Sequence, residues 1–467
     1  MRRFPIPDGP AKDLDSFYLT LRSEPLSTPE ELTRFYRPEL LKVRGEDTVA
    51  VLSRKLQESF GTIPFQAFVM GHPGVGKSTE IWRLTDRVKA QQVAVRISVA
   101  DELNPSSFKV FDVLLLMLVS LVERAKELEA LPFGGKVPAD LVADIMNWVQ
   151  PPQVKTTETL GGHVLGEVGA GVKEGSLWAK LLGILASVKG QIKYAAERKA
   201  ETLEYSLQRL STLVGLCNRL IDACSRALEE KSGKEWLLIV EDLDKKVISP
   251  QALRELFLDY GGVFSSLRVS IIFTIPVWLA YSPEAEKLPF DKNMIHDAPL
   301  FDRLHAPFEV GRSAVRSVLE ARVEPGLFEK GQMTRLIVAS GGNLRDLFTM
   351  VQEASYAAVL RNPPSKTIEA EDATKAINKM RWDYRMRLGQ SPFDAEQIPY
   401  PIKAERLVAI YNGQLNRDVP DPAIYSLLRA RAVQEFNGKG WYGVHPLVVD
   451  ILKDQEHLPA DAPGGTE

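Results

Sequence analysis

Gly71-His72-Pro73-Gly74-Val75-Gly76-Lys77-Ser78 fits G-x-x-x-x-G-K-[ST] at every position, the spacing of a phosphate-binding P-loop. Backbone this rich in glycine can turn consecutive N–H groups inward around a polyphosphate. Lys77 then reaches the β- and γ-phosphates, and the Ser78 hydroxyl suits a Mg²⁺ ion. Gly71 through Ser78, with Thr79 next in line, are therefore the expected nucleotide-binding residues, and ATP with Mg²⁺ is the expected ligand. A chance match in a chain of this length has a probability of roughly one to two per cent. The flanks support the motif. Gln66–Met70 is a short apolar run that predicts a buried strand, and Ser78–Leu84 has helical spacing with apolar residues at 81 and 84. A helix starting at the loop adds its dipole to the phosphate site.

Working outward, Trp236-Leu237-Leu238-Ile239-Val240-Glu241-Asp242-Leu243-Asp244 is an apolar run that ends in carboxylates, the Walker B pattern. A central strand delivers such acids to the carboxyl edge of an α/β sheet, where ligands bind. One of Glu241 and Asp242 is expected to hold the metal through water, and its neighbour to polarise the attacking water; which does which is left open. Val93–Val99 and Val269–Pro276 read as further strands, with Thr274 placed to contact the γ-phosphate or the water. Phe301-Asp302-Arg303-Leu304 precedes a fifth expected strand, Ala306–Val310. Phe108–Leu128 predicts a long helix, apolar on all sides in its middle and therefore buried.

The chain has 467 residues, a 45% apolar and 25% charged composition, and a formal charge of -3, which fit a soluble globular protein without a global pull toward nucleic acid. Cys217 and Cys224 lie seven apart on one expected helix face, too far along the axis for a disulfide, so helix packing is their reading. The N-terminus lacks an apolar signal segment, and Val113–Val122 is too short to span a bilayer; a cytoplasmic location without membrane contact is expected.

Residues 130–235 separate the P-loop from the acid-bearing strand by more chain than a compact core needs. This segment is read as an insertion, either packing back on the core or serving a homo-oligomer or protein partner. Toward the C-terminus, Lys379–Arg387 is basic and aromatic, either a solvated helix face or a DNA contact. Residues 404–455 read helix, helix, hairpin, helix, with Asn437-Gly438-Lys439-Gly440 as the turn.

Together these residues resemble the AAA+ ATPases, in the branch shared by origin-recognition and STAND-type signalling ATPases. Arg44-Gly45-Glu46 is similar to the box before the first strand, with its order changed. Ser340-Gly341-Gly342-Asn343-Leu344-Arg345-Asp346-Leu347 is similar to the sensor 2 motif. The Glu241–Asp244 run also resembles the acidic Walker B of KAP-type bacterial NTPases. The resemblance implies that Arg345 reaches the γ-phosphate from a lid, that Arg303 acts as an arginine finger across a subunit interface, and that a conflict or antiviral role is in keeping. The 404–455 pattern resembles a winged helix, in which Arg429 and Arg431 could face DNA or the domain could pack on the core.

The expected fold is α/β: a P-loop NTPase core with a parallel sheet of AAA+ type, a helical insertion, a helical lid and a C-terminal winged-helix-like domain. The expected boundaries are an irregular 1–40, a core over 41–310 with the insertion at 130–235, a lid over 311–390, the winged-helix-like domain over 391–456 and a disordered tail over 457–467. The expected activity is ATP hydrolysis driving a conformational or assembly switch. An ATP-controlled DNA loader and a nucleotide-binding scaffold without turnover are the alternatives.

Overall fold

Five strands lie parallel in one sheet: β1 (Gln66–Gly71), β2 (Gln92–Ser98), β3 (Glu235–Glu241), β4 (Ser270–Pro276) and β5 (Asp291–Met294), in the spatial order β2-β3-β4-β1-β5. The computed structural model describes residues 8–130, 137–149, 175–194, 206–245, 247–282, 284–390, 397–414, 421–436 and 441–466. The fold is α/β, as expected. Strands covered on both faces read as continuous apolar runs, and side chains alternate between the two faces. Ala67, Val69, Leu237, Ile239 and Ile272 face one way, onto α1 (Thr48–Ser59) and α2 (Lys77–Val88) through Leu52, Leu56, Ile81 and Leu84. Phe68, Met70, Trp236, Leu238, Val240 and Phe273 face the other way into the larger core.

That second face is covered by α3 (Val110–Glu127), whose run from Val113 to Val119 is buried on every side. Outside it lie the described parts of the 130–235 segment: α4 (Ala139–Val149), α5 (Gly175–Tyr194) and α6 (Leu210–Ser232). Leu213, Leu216, Cys217, Leu220 and Cys224 of α6 share a core with Leu114 and Leu121 of α3, and Trp148 of α4 packs on Phe111 with ring centroids 6.0 Å apart. The described insertion helices thus pack back on the core. Burial pushes both cysteine thiols up to about 12, as apolar packing residues.

After β5 come the helices α7 (Glu309–Glu320), α8 (Gln332–Ala339), α9 (Leu344–Val359) and α10 (Ala370–Arg387). The C-terminal region is α11 (Tyr400–Tyr411), α12 (Pro422–Ala430), the antiparallel pair β6 (Val433–Phe436) and β7 (Trp441–Val444), and α13 (Pro446–Asp454). The Asn437–Gly440 turn and residues 160–174 of the glycine-rich stretch lie outside the described residues.

Three local expectations are corrected. The fifth strand is Asp291–Met294, not Ala306–Val310, where α7 begins at Glu309. Asp291 and Lys292 are exposed, as edge strands tolerate charge, so this strand carries no apolar run to announce it. The stretch before residue 40 is not irregular throughout. A capping box between Thr28 and Glu31 starts the helix Pro29–Phe35, and Ala11 pairs with Val323. Residues after 457 fold back rather than trail: the Tyr411 hydroxyl donates to Pro463 O at 2.8 Å, and the Thr466 amide donates to Asp450 Oδ1 at 3.1 Å. No helix among the described residues is long and apolar enough to cross a membrane.

Candidate functional site

The chain crosses from β1 to the far edge strand β2 and later returns past β1 to β5, so the carboxyl end of β1 lies at a switch in strand order. The 71–78 loop sits there and runs straight into α2, whose first residue is Lys77. Gly71, Gly74 and Gly76 all have positive φ. At Gly74 a side chain is excluded twice over, since φ is +94° and a Cβ would sit 2.4 Å from Asn343 Oδ1 and 2.6 Å from Arg345 Cβ.

On the inner flank of the loop, the buried Lys77 ammonium donates to Gly71 O at 2.8 Å and His72 O at 2.9 Å, and pairs with Asp244 Oδ2 at 2.6 Å. Glu241 ends β3 and is buried. Its Oε2 accepts from Arg96 Nε at 2.6 Å and from Arg96 Nη2. Its Oε1 is buried with no hydrogen-bond partner, and the Ser78 side chain lies against the same carboxylate. Burial raises the Glu241 carboxyl above its ordinary range, while Arg96 works against that shift. Asp242 takes φ +69°, a left-handed conformation that aspartate tolerates better than most residues, and accepts from Ser98 Oγ at 2.6 Å with Lys245 3.1 Å away. Thr274 is buried on β4, between the strand of the loop and the strand of the acids, and stands opposite Val69. Thr79 Oγ1 accepts from the Leu26 amide at 3.2 Å, which ties the N-terminal segment to α2.

The outer flank meets other parts of the chain. The Pro73 carbonyl accepts from Asn343 Nδ2 at 3.0 Å and from Arg431 Nη1 at 3.1 Å. Asn343 also caps α9 through the Asp346 amide and donates to Asp297 Oδ1 at 3.2 Å. Arg431, at the end of α12, is buried and pairs with Asp346 Oδ1 at 2.9 Å, while the buried Tyr384 hydroxyl donates to Asp346 Oδ2 at 2.7 Å. Burial alone would raise the Asp346 carboxyl; Arg431 and the Tyr384 hydroxyl hold it below its ordinary value. The Tyr384 ring stacks on His445 at 4.2 Å, and Gln434 Nε2 donates to Asp297 Oδ2 and to Gly341 O, both at 2.9 Å. His72 of the loop is buried with neither ring nitrogen partnered, and burial pushes it down to about 4; burial does the same to His445. Arg44 of the Arg-Gly-Glu triplet is buried, and its Nη2 donates to Val75 O at 2.8 Å.

The structure thus brings together Gly71–Thr79, Glu241, Asp242 and Thr274, with Arg345 exposed against Gly74. Arg303 is elsewhere: it is exposed, with its guanidinium 5.5 Å from the Trp441 ring centroid beside the C-terminal hairpin. Arg431, considered for a DNA-facing role, instead points inward to the loop. Sequence reasoning missed four contributors. Asp244 was visible as the third acid of Glu241–Asp244. Asn343 stood inside a quoted motif but only as a helix start. Arg96 and Arg431 gave no local signal.

No protein-family model matches the chain, and no curated protein matches it. Among solved structures it is similar to the ADP form of the Aeropyrum pernix ORC2 protein, at 12% identity and a TM-score of 0.35, covering 91% of this chain and 95% of that one. It is also similar to a Walker-type ATPase of Pyrococcus abyssi, at 13% identity and a TM-score of 0.39, covering 93% and 99% of the two chains. A third similarity is to Cdc6p from Pyrobaculum aerophilum, at 12% identity and a TM-score of 0.36, covering 92% and 98%. Likeness at this level says nothing of what this chain binds; the chemistry rests on its own residues.

Proposed function

We propose that the chain is a Mg²⁺-dependent ATPase of AAA+ type in which the nucleotide sets how the lid and C-terminal region dock on the P-loop. One observation carries this reading: the same loop is paired through Lys77 to Asp244, in the acidic turn after β3, on one flank and bonded to Asn343 and Arg431 on the other. Hydrolysis of a phosphoanhydride needs positioning and charge stabilisation more than covalent chemistry. In this reading the loop amides and the α2 N-terminus hold the phosphates, and Lys77 exchanges Asp244 for phosphate oxygen. Asp242, beside Ser98, orients the attacking water.

The residues present fit the metal. Ser78 offers a hydroxyl beside the Glu241 carboxylate, whose Oε1 is a buried acceptor without a partner. Among the described residues no group of three His, Cys, Asp or Glu forms a cage, which suits an ion that takes few protein ligands and shares itself with phosphates. When bound, Mg²⁺ would offset the charge that builds on the transferring phosphoryl group. The DNA-loader reading has less support, because Tyr384 and Arg431 are turned into the interior and Arg381 and Arg385 lie 3.6 and 3.8 Å from Asp454.

Binding of a fluorescent ATP analogue tests the reading. Lys77→Ala is expected to weaken binding by about a hundredfold, as a lost charge-assisted contact of about 3 kcal/mol requires. Asp242→Ala should keep binding and lose turnover. Wild-type protein that binds ATP but never releases phosphate would leave the non-hydrolysing scaffold as the better reading.

A further inference from the structure

Glu241 stands where the metal-bearing acid of the site is expected, yet its nearest cation is a protein side chain. Arg96 projects from β2, the strand next to β3, and approaches a single oxygen, Oε2, through both Nε and Nη2. The guanidinium is itself held from the other side by Trp82, whose ring centroid lies 4.0 Å from Arg96 Cζ. Trp82 lies one turn after Ser78 on α2, so the element that supplies the Ser78 hydroxyl also supplies the platform under Arg96. With Oε2 engaged twice, Oε1 is left buried and unpartnered, and the Ser78 side chain lies beside this carboxylate. A buried acceptor without a donor costs stability. A glutamate, one methylene longer than aspartate, reaches Arg96 with one oxygen and leaves the other unpaired.

We propose that Arg96 is a positioning residue that grips Glu241 Oε2 and turns Oε1 toward Ser78, so that Glu241 rather than Asp242 serves the nucleotide's divalent cation. The inference rests on the ATPase reading. Asp242 gives its Oδ2 to Ser98 and Lys245, and Asp244 gives its Oδ2 to Lys77 until, in the ATPase reading, phosphate takes the lysine. Of these three acids, Glu241 is the one with an oxygen that is both buried and without a partner. The planar fork of Arg96 suits two bonds to one oxygen edge, which a lysine cannot reproduce.

The test is the affinity of a fluorescent ATP analogue measured with Mg²⁺ and with EDTA, together with Mn²⁺ binding by electron paramagnetic resonance in the presence of nucleotide. Arg96→Gln is expected to bind within twofold of wild type in EDTA and to lose about tenfold in Mn²⁺ affinity and in the gain from Mg²⁺, the scale on which outer-shell partners act. Arg96→Lys should fall between the two. Trp82→Leu, which keeps the ion pair and removes its platform, should lose a smaller part of the same gain, so the idea remains testable even if Arg96→Gln does not fold. An unchanged metal gain in the folded Arg96 variants, or in Trp82→Leu should Arg96→Gln not fold, overturns the proposal. So does an equal loss with and without metal. Wild-type protein that binds no nucleotide in either condition overturns the ATPase reading itself, whatever Arg96 does.

Discussion

Lys77 and Ser78, on the inner flank of the P-loop, meet acids from a strand of the same sheet, whereas Pro73 and Gly74, on the outer flank, meet Asn343 and Arg431, 270 and 358 residues from Pro73 along the chain. The inner contacts follow from strand order alone: any α/β sheet with this loop and this acidic strand brings them close. The outer contacts depend on α9 and the C-terminal region docking in one arrangement. They are also built differently. The inner flank pairs each acid with its own cation or hydroxyl, while on the outer flank Asp346 joins Arg431, Tyr384 and the α9 cap into one buried network. The first arrangement suits exchange with an incoming anion; the second suits cooperative docking, in which removing one member exposes the rest.

The largest effect separating the flanks is expected at Arg431. Arg431→Met removes one partner of a buried pair and should cost about 3 kcal/mol in unfolding free energy, read by denaturant titration. Magnesium-free nucleotide affinity should change far less than in Lys77→Ala. If stability is kept and nucleotide binding is lost, the outer flank is part of the binding machinery and the contrast fails.

Acidification acts on the outer flank next. His72 lies among Asp297, Arg431, Lys77 and His296, and His445 among Asp346, Arg431 and Asp297. Both are held near 4 in the folded chain against an ordinary value near 6.5. A lowered folded pKa means the unfolded chain binds more protons between these values, so stability is full above about 6.5 and falls as pH drops toward 4. Going from pH 7 to pH 5 should cost about 2 kcal/mol per histidine, and His445→Gln should flatten the profile. A flat wild-type profile would show that these rings are not buried neutral.

Asn343→Ala removes the α9 cap and one bond to Pro73, for an expected loss of about 1 kcal/mol. A loss well beyond that would mean the outer network leans on Asn343 as well as Arg431. The smallest effect is expected at Arg303. Arg303→Ala should shift the unfolding free energy by no more than about 0.5 kcal/mol, since an exposed cation over a ring contributes little. If the same variant lowers phosphate release with unchanged stability, Arg303 acts at another copy's site, as the sequence reading expected.

The legibility of these features follows the range of the interactions behind them. The P-loop, the acidic strand and Thr274 could be read because each is a local pattern with its own chemistry. The hairpin strands at 433–436 and 441–444 were legible from the turn residues between them. The β5 strand was not, because an edge strand needs no apolar run and Asp291–Met294 pairs through its backbone. Arg96 was hidden because its partner lies on a neighbouring strand 145 residues away. Arg431 was misread because a basic residue in a small C-terminal domain looks the same in sequence whether it faces solvent or a buried carboxylate.

By itself the sequence determined the α/β class, the glycine loop after β1 and the acids at the end of β3, since glycine spacing and apolar periodicity act over a few residues. Only the tertiary structure decided which acid keeps a buried, unpartnered oxygen, where Arg303 lies, and that Asn343 and Arg431 both bond to the P-loop. Those outcomes depend on burying charge at long range, and a buried charge is affordable only where the fold brings it a partner.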